Sequence, residues 1–340
     1  MDILAIETSC DETSAAVVSN GTNIKSMIVS SQIKIHSKFS GVVPELASRS
    51  HMENINFVIH QSLSEANIDF NNFSKKIDAV AFTSGPGLAG ALLIGTIASK
   101  AIASVYKKPL IPVNHLEGHL YSYYINNSSI YPPFLGVIIS GGHTEIIIVE
   151  KFGKYKTLGI TRDDAAGEAF DKAAKILGLS YPGGPIIDEM SKNGDPTLIQ
   201  FTRPLLKNGW DFSFSGLKTA LLNYVKTNQI KSKKHLSDIC ASFRQAIVET
   251  IVFKAFKAAK VFNLKNIVLG GGVSANSLIR KMFINNGNKY EVNIFIPALI
   301  HCTDNAAIIG CAAYLKQKKC GLNYNSLQLK SDPSLTLYNW

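Results

Sequence analysis

Two histidines stand four residues apart in His115-Leu116-Glu117-Gly118-His119. That spacing puts both imidazoles on one face of a helix, within reach of one metal ion. It also suits two rings satisfied by backbone groups at a helix start, so a metal needs a third ligand from elsewhere. Asp304, in His301-Cys302-Thr303-Asp304-Asn305, supplies the right chemistry just after a strand expected over 294–297. The same aspartate equally suits capping of the helix expected from 304 to 318. Two imidazoles and one carboxylate leave open positions on a divalent ion; non-haem iron fits such a set, with zinc or manganese as alternatives. A zinc peptidase needs its glutamate directly after the first histidine, whereas Glu117 lies two residues on and points to another face. Peptide hydrolysis is therefore disfavoured.

Glycine turns form a second chemical group. Four follow expected strands: Ser84-Gly85-Pro86-Gly87-Leu88-Ala89-Gly90, Ser140-Gly141-Gly142-His143-Thr144, Tyr181-Pro182-Gly183-Gly184-Pro185 and Gly270-Gly271-Gly272-Val273-Ser274-Ala275-Asn276. Such turns offer backbone N–H groups to phosphate oxygens. Gly85, Gly87 and Gly90 match a dinucleotide fingerprint, but no acid occurs between Asp78 and Glu117 to hold a ribose. Gly216-Leu217-Lys218-Thr219 lacks the upstream glycine of a P-loop. Each turn alone reads as structural, and several in one chain favour a nucleotide site.

These residues need a scaffold. Alternation predicts strands over 3–7, 15–19 and 24–30 with a hairpin turn at Asn20-Gly21, then a helix over 44–66, a strand over 77–82, a helix over 88–106 and a strand over 110–113. The plan then restarts with strands over 134–139, 145–150 and 155–160. Helices follow near 164–177, 185–191, 217–225 and 238–262, then a strand over 266–269 and a helix over 275–282. The repetition predicts two lobes, residues 1–114 with 300–340 and residues 115–299. Lys231-Ser232-Lys233-Lys234 reads as a basic loop between helices, with solvation or nucleic-acid contact as its two readings.

The chain has 340 residues, 46% hydrophobic and 18% charged, which excludes a disordered chain and allows a sizeable core. Its formal charge of +10 fits a polyanionic partner, although Lys and Asn spread along the whole chain fit a base-composition bias as well. Five scattered cysteines without paired spacing indicate a reducing compartment. The first residues carry two acids and no basic region, so they read as a strand and not as a signal peptide. The uncharged stretch 79–99 is broken by Gly85-Pro86-Gly87, and strand, turn and helix is preferred to a membrane span.

Taken in order, Ile6-Glu7-Thr8-Ser9-Cys10-Asp11-Glu12-Thr13, Asn114 to His119, Ser140 to Thr144, Glu168-Ala169-Phe170-Asp171-Lys172, Tyr181 to Pro185 and Gly270 to Asn276 resemble the universal tRNA threonylcarbamoyladenosine transferase family. An older name is the O-sialoglycoprotein endopeptidase-like family. The resemblance covers nearly the whole chain and implies an α/β, two-lobed actin, Hsp70 and sugar-kinase fold with a nucleotide cleft between the lobes. It implies one divalent metal, usually iron, on His115, His119 and Asp304, and an adenylate at Ile138, Ile139, Ser140, Gly141, Gly142, Asp171, Gly184, Asp188 and Asn276.

The implied reaction moves a threonylcarbamoyl group from threonylcarbamoyl-adenylate to N6 of adenosine 37, beside the anticodon, in tRNAs reading codons that begin with A. AMP leaves. Asp11 and Glu12 are candidates for base or tRNA positioning, with solvated turn acids as the alternative. The resemblance further implies a cytoplasmic protein working with tRNA, an inactive paralogous actin-fold partner that docks on the first lobe, and a small P-loop ATPase. No membrane is expected. The competing expectation is an ATP-binding actin-fold scaffold or chaperone without transfer chemistry.

Overall fold

The structure, a computed structural model, describes residues 1–39, 41–321 and 328–340. Contacts divide the chain into two compact units: Met1–Pro132 with Lys151–Tyr155 and Pro297–Trp340, and Pro133–Glu150 with Lys156–Ile296. The segment after Asn114, expected in the second lobe, thus lies in the first unit up to Pro132. The helix that follows Asn114 packs on the last helix of the first unit, where a Cβ on Gly118 would come within 2.8 Å of Ile309.

The first unit is built on a five-stranded sheet of order β3-β2-β1-β4-β5, from β1 (Asp2–Glu7), β2 (Glu12–Ser19), β3 (Asn23–Ser31), β4 (Ala79–Gly85) and β5 (Leu110–Asn114). β1 pairs antiparallel with β2 and parallel with β4, which is parallel to β5. Its helices are α1 (Ile33–His36), α2 (Pro44–Glu65), α3 (Phe73–Lys76), α4 (Ala89–Val105) and α5 (His115–Tyr121), with the chain's last helix, named below. Side chains alternate across β1. Leu4 and Ile6 join Val58, Ile59 and Phe82 in one buried cluster. Ala5 points oppositely and is small enough for the last helix to approach, where a Cβ on Gly310 would stand 3.3 Å from Ala5 and 2.6 Å from Val18. The strand expected over 77–82 starts two residues later.

The second unit repeats this order as β10-β9-β6-β7-β8, from β6 (Phe134–Ile139), β7 (Thr144–Lys151), β8 (Lys154–Ile160), β9 (Asn266–Gly270) and β10 (Asn293–Phe295). β6 pairs antiparallel with β7 and parallel with β9, and β9 with β10. Its helices are α6 (Ala166–Ile176), α7 (Gly183–Met190), α8 (Ser215–Thr227), α9 (Lys233–Val261) and α10 (Ser277–Tyr290). The core joins Val137, Ile139, Ile146 and Leu269 of the sheet to Phe170, Phe243, Ile247 and Phe283 of the helices. α9 begins at Lys233, because the Ser232 hydroxyl accepts the His235 N–H as an N-cap. Half of the expected basic loop is therefore helix. The last helix, α11 (Ala306–Cys320), returns to the first unit. The expected uncharged span is β4, its turn and α4, and no described helix is long and apolar enough to cross a membrane.

Candidate metal centre and nucleotide-binding surface

β5 delivers the chain to α5 through Asn114, whose side chain accepts the Leu116 N–H at 2.8 Å and so starts the helix. One turn then separates His115 from His119. Both are buried, with ring centroids 4.6 Å apart. Asp304 comes from the short turn ahead of α11. The cap of α11 is Asn305, which accepts the N–H groups of Ala307 and Ile308. The capping reading of Asp304 is thereby corrected, and its carboxylate faces the two rings instead. Asp304 Oδ1 lies 3.0 Å from His119 Nε2 and 3.6 Å from His115 Nε2. One donor atom from each of the three residues falls within 4.8 Å of the others.

The surroundings of this triad suit a cation. Glu7, fully buried at the end of β1, stands 3.2 Å from His115 Nδ1 and accepts from the Thr83 hydroxyl at 2.6 Å and the Ser9 N–H at 2.5 Å. Ser9 Oγ is 3.1 Å from the same Nδ1. With Nδ1 held from behind, Nε2 of His115 is left for a ligand bond. Burial disfavours a charged His115, yet the carboxylates of Asp304 and Glu7 outweigh it and hold the ring up to about 9. A divalent ion would displace that proton and take over the balancing charge. His119 Nδ1 is buried and finds no hydrogen-bond partner among the described residues. The donor set thus fits a divalent metal, and two imidazoles and a carboxylate would leave open positions on it.

Asp11 and Glu12 occupy the turn between β1 and β2 and the first residue of β2, in the same unit. Burial, with the negative charges of Asp11 and Asp304, pushes the Glu12 carboxyl well above its ordinary range. The Cys10 thiol is pushed up by the same means, burial first. Glu117 is turned away from the histidines: it is fully buried and accepts from the Tyr155 hydroxyl at 2.9 Å and from the Trp340 indole. It has no access to a metal-bound water, which disposes of the peptidase arrangement.

The expected adenylate residues all lie in the second unit. Ile138 and Ile139 end β6, and the Ser140-Gly141-Gly142-His143 turn follows, closed by the Ser140 N–H donating to the His143 carbonyl at 2.8 Å. A Cβ on Gly141 or Gly142 would meet nothing within 4 Å, so this backbone is open. Beside it the parallel strand β9 ends at Gly270. Gly271 has φ +89°, and a Cβ there would strike the Ile139 carbonyl at 2.4 Å. Two glycine turns therefore meet at the carboxyl ends of adjacent parallel strands, the usual place for phosphate in α/β sheets. Asp171 accepts the Gly183 N–H at 2.7 Å, and a Cβ on Gly184 would have only one neighbour, 4.0 Å away.

Asp188 and Asn276 have structural duties as well. Asp188 accepts from Arg244 at 2.7 Å and from the Ser277 N–H and hydroxyl, each at 3.0 Å. Asn276 caps α10 through the N–H groups of Leu278 and Ile279. The Gly85 turn differs from the others. Its backbone is covered by residues 332–335, with the Gly87 N–H donating to Pro333 and a Cβ on Gly85 meeting the Asp332 carbonyl at 1.9 Å. It is unsuited to phosphate.

Two acids escaped the sequence-based expectations as site residues. Glu7 was hidden at the end of an apolar strand, where a lone buried acid is the signal. Glu145 follows Thr144 on β7 opposite Ile138, and burial alone pushes its carboxyl up to about 7. Because the folded protein holds this proton more tightly than the unfolded chain, stability is complete below about 4.5 and is lost as pH rises toward 7. Glu145→Gln is expected to raise stability at pH 8 by on the order of 2 kcal/mol and to leave it unchanged at pH 4.5. Urea midpoints at the two pH values check this; equal shifts at both would refute the buried charge.

Comparison with known proteins agrees with this geometry. Residues 23–311 match the family model of tRNA N6-adenosine threonylcarbamoyltransferase. A protein of that name from Endomicrobium trichonymphae is 70% identical over 340 residues, covering 100% of this chain and 99% of its own. One from Clostridium kluyveri is 48% identical over 338 residues, covering 98% and 97%. Among solved structures, T. kodakarensis HypF matches with TM-score 0.63 at 14% identity over 94% of this chain and 48% of its own. Component A of (R)-2-hydroxyglutaryl-CoA dehydratase from Acidaminococcus fermentans gives 0.56 at 14% identity, over 94% and 99%. These two likenesses concern the fold alone, which is the actin-like ATPase fold.

Proposed function

The chain belongs to the tRNA N6-adenosine threonylcarbamoyltransferase family, and from that membership we propose that it takes threonylcarbamoyl-adenylate as donor and releases AMP. The acceptor is N6 of adenosine 37, beside the anticodon of tRNAs reading codons that begin with A. The observation that carries the chemical part is the His115, His119 and Asp304 cluster, one of whose carboxylate oxygens faces both imidazoles.

N6 of adenosine is a weak nucleophile because its lone pair is delocalised into the ring, so the rate must come from alignment and from polarising the carbonyl under attack. A divalent ion, iron in the first instance and zinc or manganese otherwise, supplies Lewis acidity and a template for substrate oxygens when bound. The protein's own residues do the rest. His115, His119 and Asp304 hold the ion, and Glu7 fixes the His115 tautomer. The open backbone of Gly141 and Gly142, with Gly184, receives the adenylate, and Asp171 offers an acceptor to ribose hydroxyls. Asp11 or Glu12 accepts the proton leaving N6 or positions the tRNA. Burial and its acidic neighbours push the Glu12 carboxyl well above its ordinary range, and a cation nearby would favour its basic form.

We place the protein in the cytoplasm, with tRNA attracted by the net charge of +10. An inactive actin-fold paralogue and a small P-loop ATPase complete the assembly. The first unit carries exposed Met52 and Phe57 on α2 and exposed Leu93 and Ile97 on α4, two helices in contact, which supports docking of the paralogue there.

The test is incorporation of labelled threonine into unmodified tRNA, given the adenylate and the two partner proteins. Label on N6 should disappear with a chelator and return with Fe²⁺. Label that resists chelation would remove the metal from the mechanism, and no label beside a working positive control would favour the ATP-binding scaffold.

A further inference from the structure

Residues 328–340 end in a strap that runs over the first unit to the back of α5. The Asp332 N–H donates to the Ser84 carbonyl at 2.7 Å, and Asn114 Nδ2 donates to the Thr336 carbonyl at 3.0 Å. Asn339 Oδ1 accepts the Tyr155 N–H at 2.7 Å, and the Trp340 N–H donates to the Gly153 carbonyl at 2.9 Å. The Trp340 ring lies over Gly153, whose φ of +74° and missing side chain make the seat: a Cβ there would stand 2.4 Å from the indole.

From that seat the indole N–H donates to Glu117, which lies between the two histidines in sequence. Two residues along a helix correspond to about 200°, so Glu117 projects from the side nearly opposite His115 and His119. A second donor reaches the same oxygen through a directed chain. The Gly153 N–H donates to Tyr121 Oη at 3.2 Å, the Tyr121 and Tyr155 hydroxyls are 2.7 Å apart, and the Tyr155 hydroxyl donates to Glu117 at 2.9 Å. Lys316 of α11, itself buried, adds the positive charge. Its ammonium donates to the Pro112 carbonyl at 3.0 Å and to Tyr338 Oη at 2.8 Å, and it lies 6.0 Å from the Trp340 ring centroid.

α5 has only seven residues, so its rotation depends on what packs and bonds to it from other elements. We propose that Trp340 and Tyr155 are positioning residues for the metal centre: by gripping Glu117 from behind they set the rotation of α5 and hence the placement of the two imidazole Nε2 atoms relative to Asp304. The inference rests on the reading of His115, His119 and Asp304 as a metal site, and adds that the strap tunes its affinity. Glu117 is thereby explained as an anchor and not as a base.

Trp340→Phe keeps a ring over Gly153 but removes the donor, and Tyr155→Phe removes the other. Binding of Zn²⁺ by competition with a chelator, and the visible absorption of the Co²⁺ form, are measured on the full chain together with Tm. Each variant is expected to weaken Zn²⁺ binding by about tenfold, the usual scale for groups that orient metal ligands, and to alter the Co²⁺ spectrum. Gly153→Ala, which displaces the ring without touching the indole N–H, should reproduce both effects. Wild-type affinity and spectrum in Trp340→Phe and Tyr155→Phe would overturn the proposal, including the case where Tm alone falls. No metal uptake by the wild-type protein would overturn the metal reading beneath it, so the two failures are distinguishable.

Discussion

His119→Ala is expected to lower threonylcarbamoyl transfer by roughly a thousandfold, the equivalent of about 4 kcal/mol of lost transition-state stabilisation. His119 is the informative ligand because its removal disturbs the fold least. His115 is tied to Glu7 and Ser9, so its loss would also leave a fully buried carboxylate without its charge partner. His119 touches Asp304 through Nε2 at 3.0 Å and its Nδ1 has no hydrogen-bond partner among the described residues, so truncation costs little beyond packing. The variant should stay folded with a urea midpoint lowered only by the packing it loses, lose its metal on dialysis and lose transfer together with it. Retention of one metal per chain with an undiminished rate would remove His119 from the centre.

The second large effect is on stability. Asp188→Ala removes the charge partner of Arg244, which is only 8% exposed, together with both acceptors of Ser277. Breaking such a pair from one side leaves a buried cation uncompensated and is expected to cost about 3 kcal/mol. The three residues join α7, α9 and α10, so the loss should appear as a lower urea midpoint whether or not adenylate is present. If Asp188 served only to bind the adenylate, the midpoint without ligand would not move and only the Michaelis constant for the donor would rise. The two readouts separate the duties.

The pattern of alternation and helical periodicity was enough to locate nearly every strand and helix, because most are buried on one or both faces. What it could not do was assign the caps. Asp304 and Asn305 are adjacent and both suit a helix start, and only the backbone decides that Asn305 turns toward Ala307 while Asp304 turns toward the histidines. The same ambiguity moved the start of α9 to Lys233 within an apparent loop. Among the glycine turns, sequence could not tell the Gly141 turn, where a Cβ would meet nothing within 4 Å, from the Gly85 turn, which is covered by a segment nearly 250 residues away. Glu7 was unreadable for a related reason: its role depends on Thr83 and His115, brought beside it by parallel pairing of β1 with β4 and of β4 with β5.

The two sheets have one strand order, a three-stranded meander followed by two parallel strands. Such a match makes the halves comparable position by position. The turn after the first strand holds Ser9, Cys10 and Asp11 in one copy and Ser140, Gly141 and Gly142 in the other. The turn after the fourth strand is stoppered at Gly85 in the first copy and tightly packed against Ile139 at Gly271 in the second. The two halves therefore present different groups on one plan: acids and imidazoles in the first, bare glycine backbone in the second.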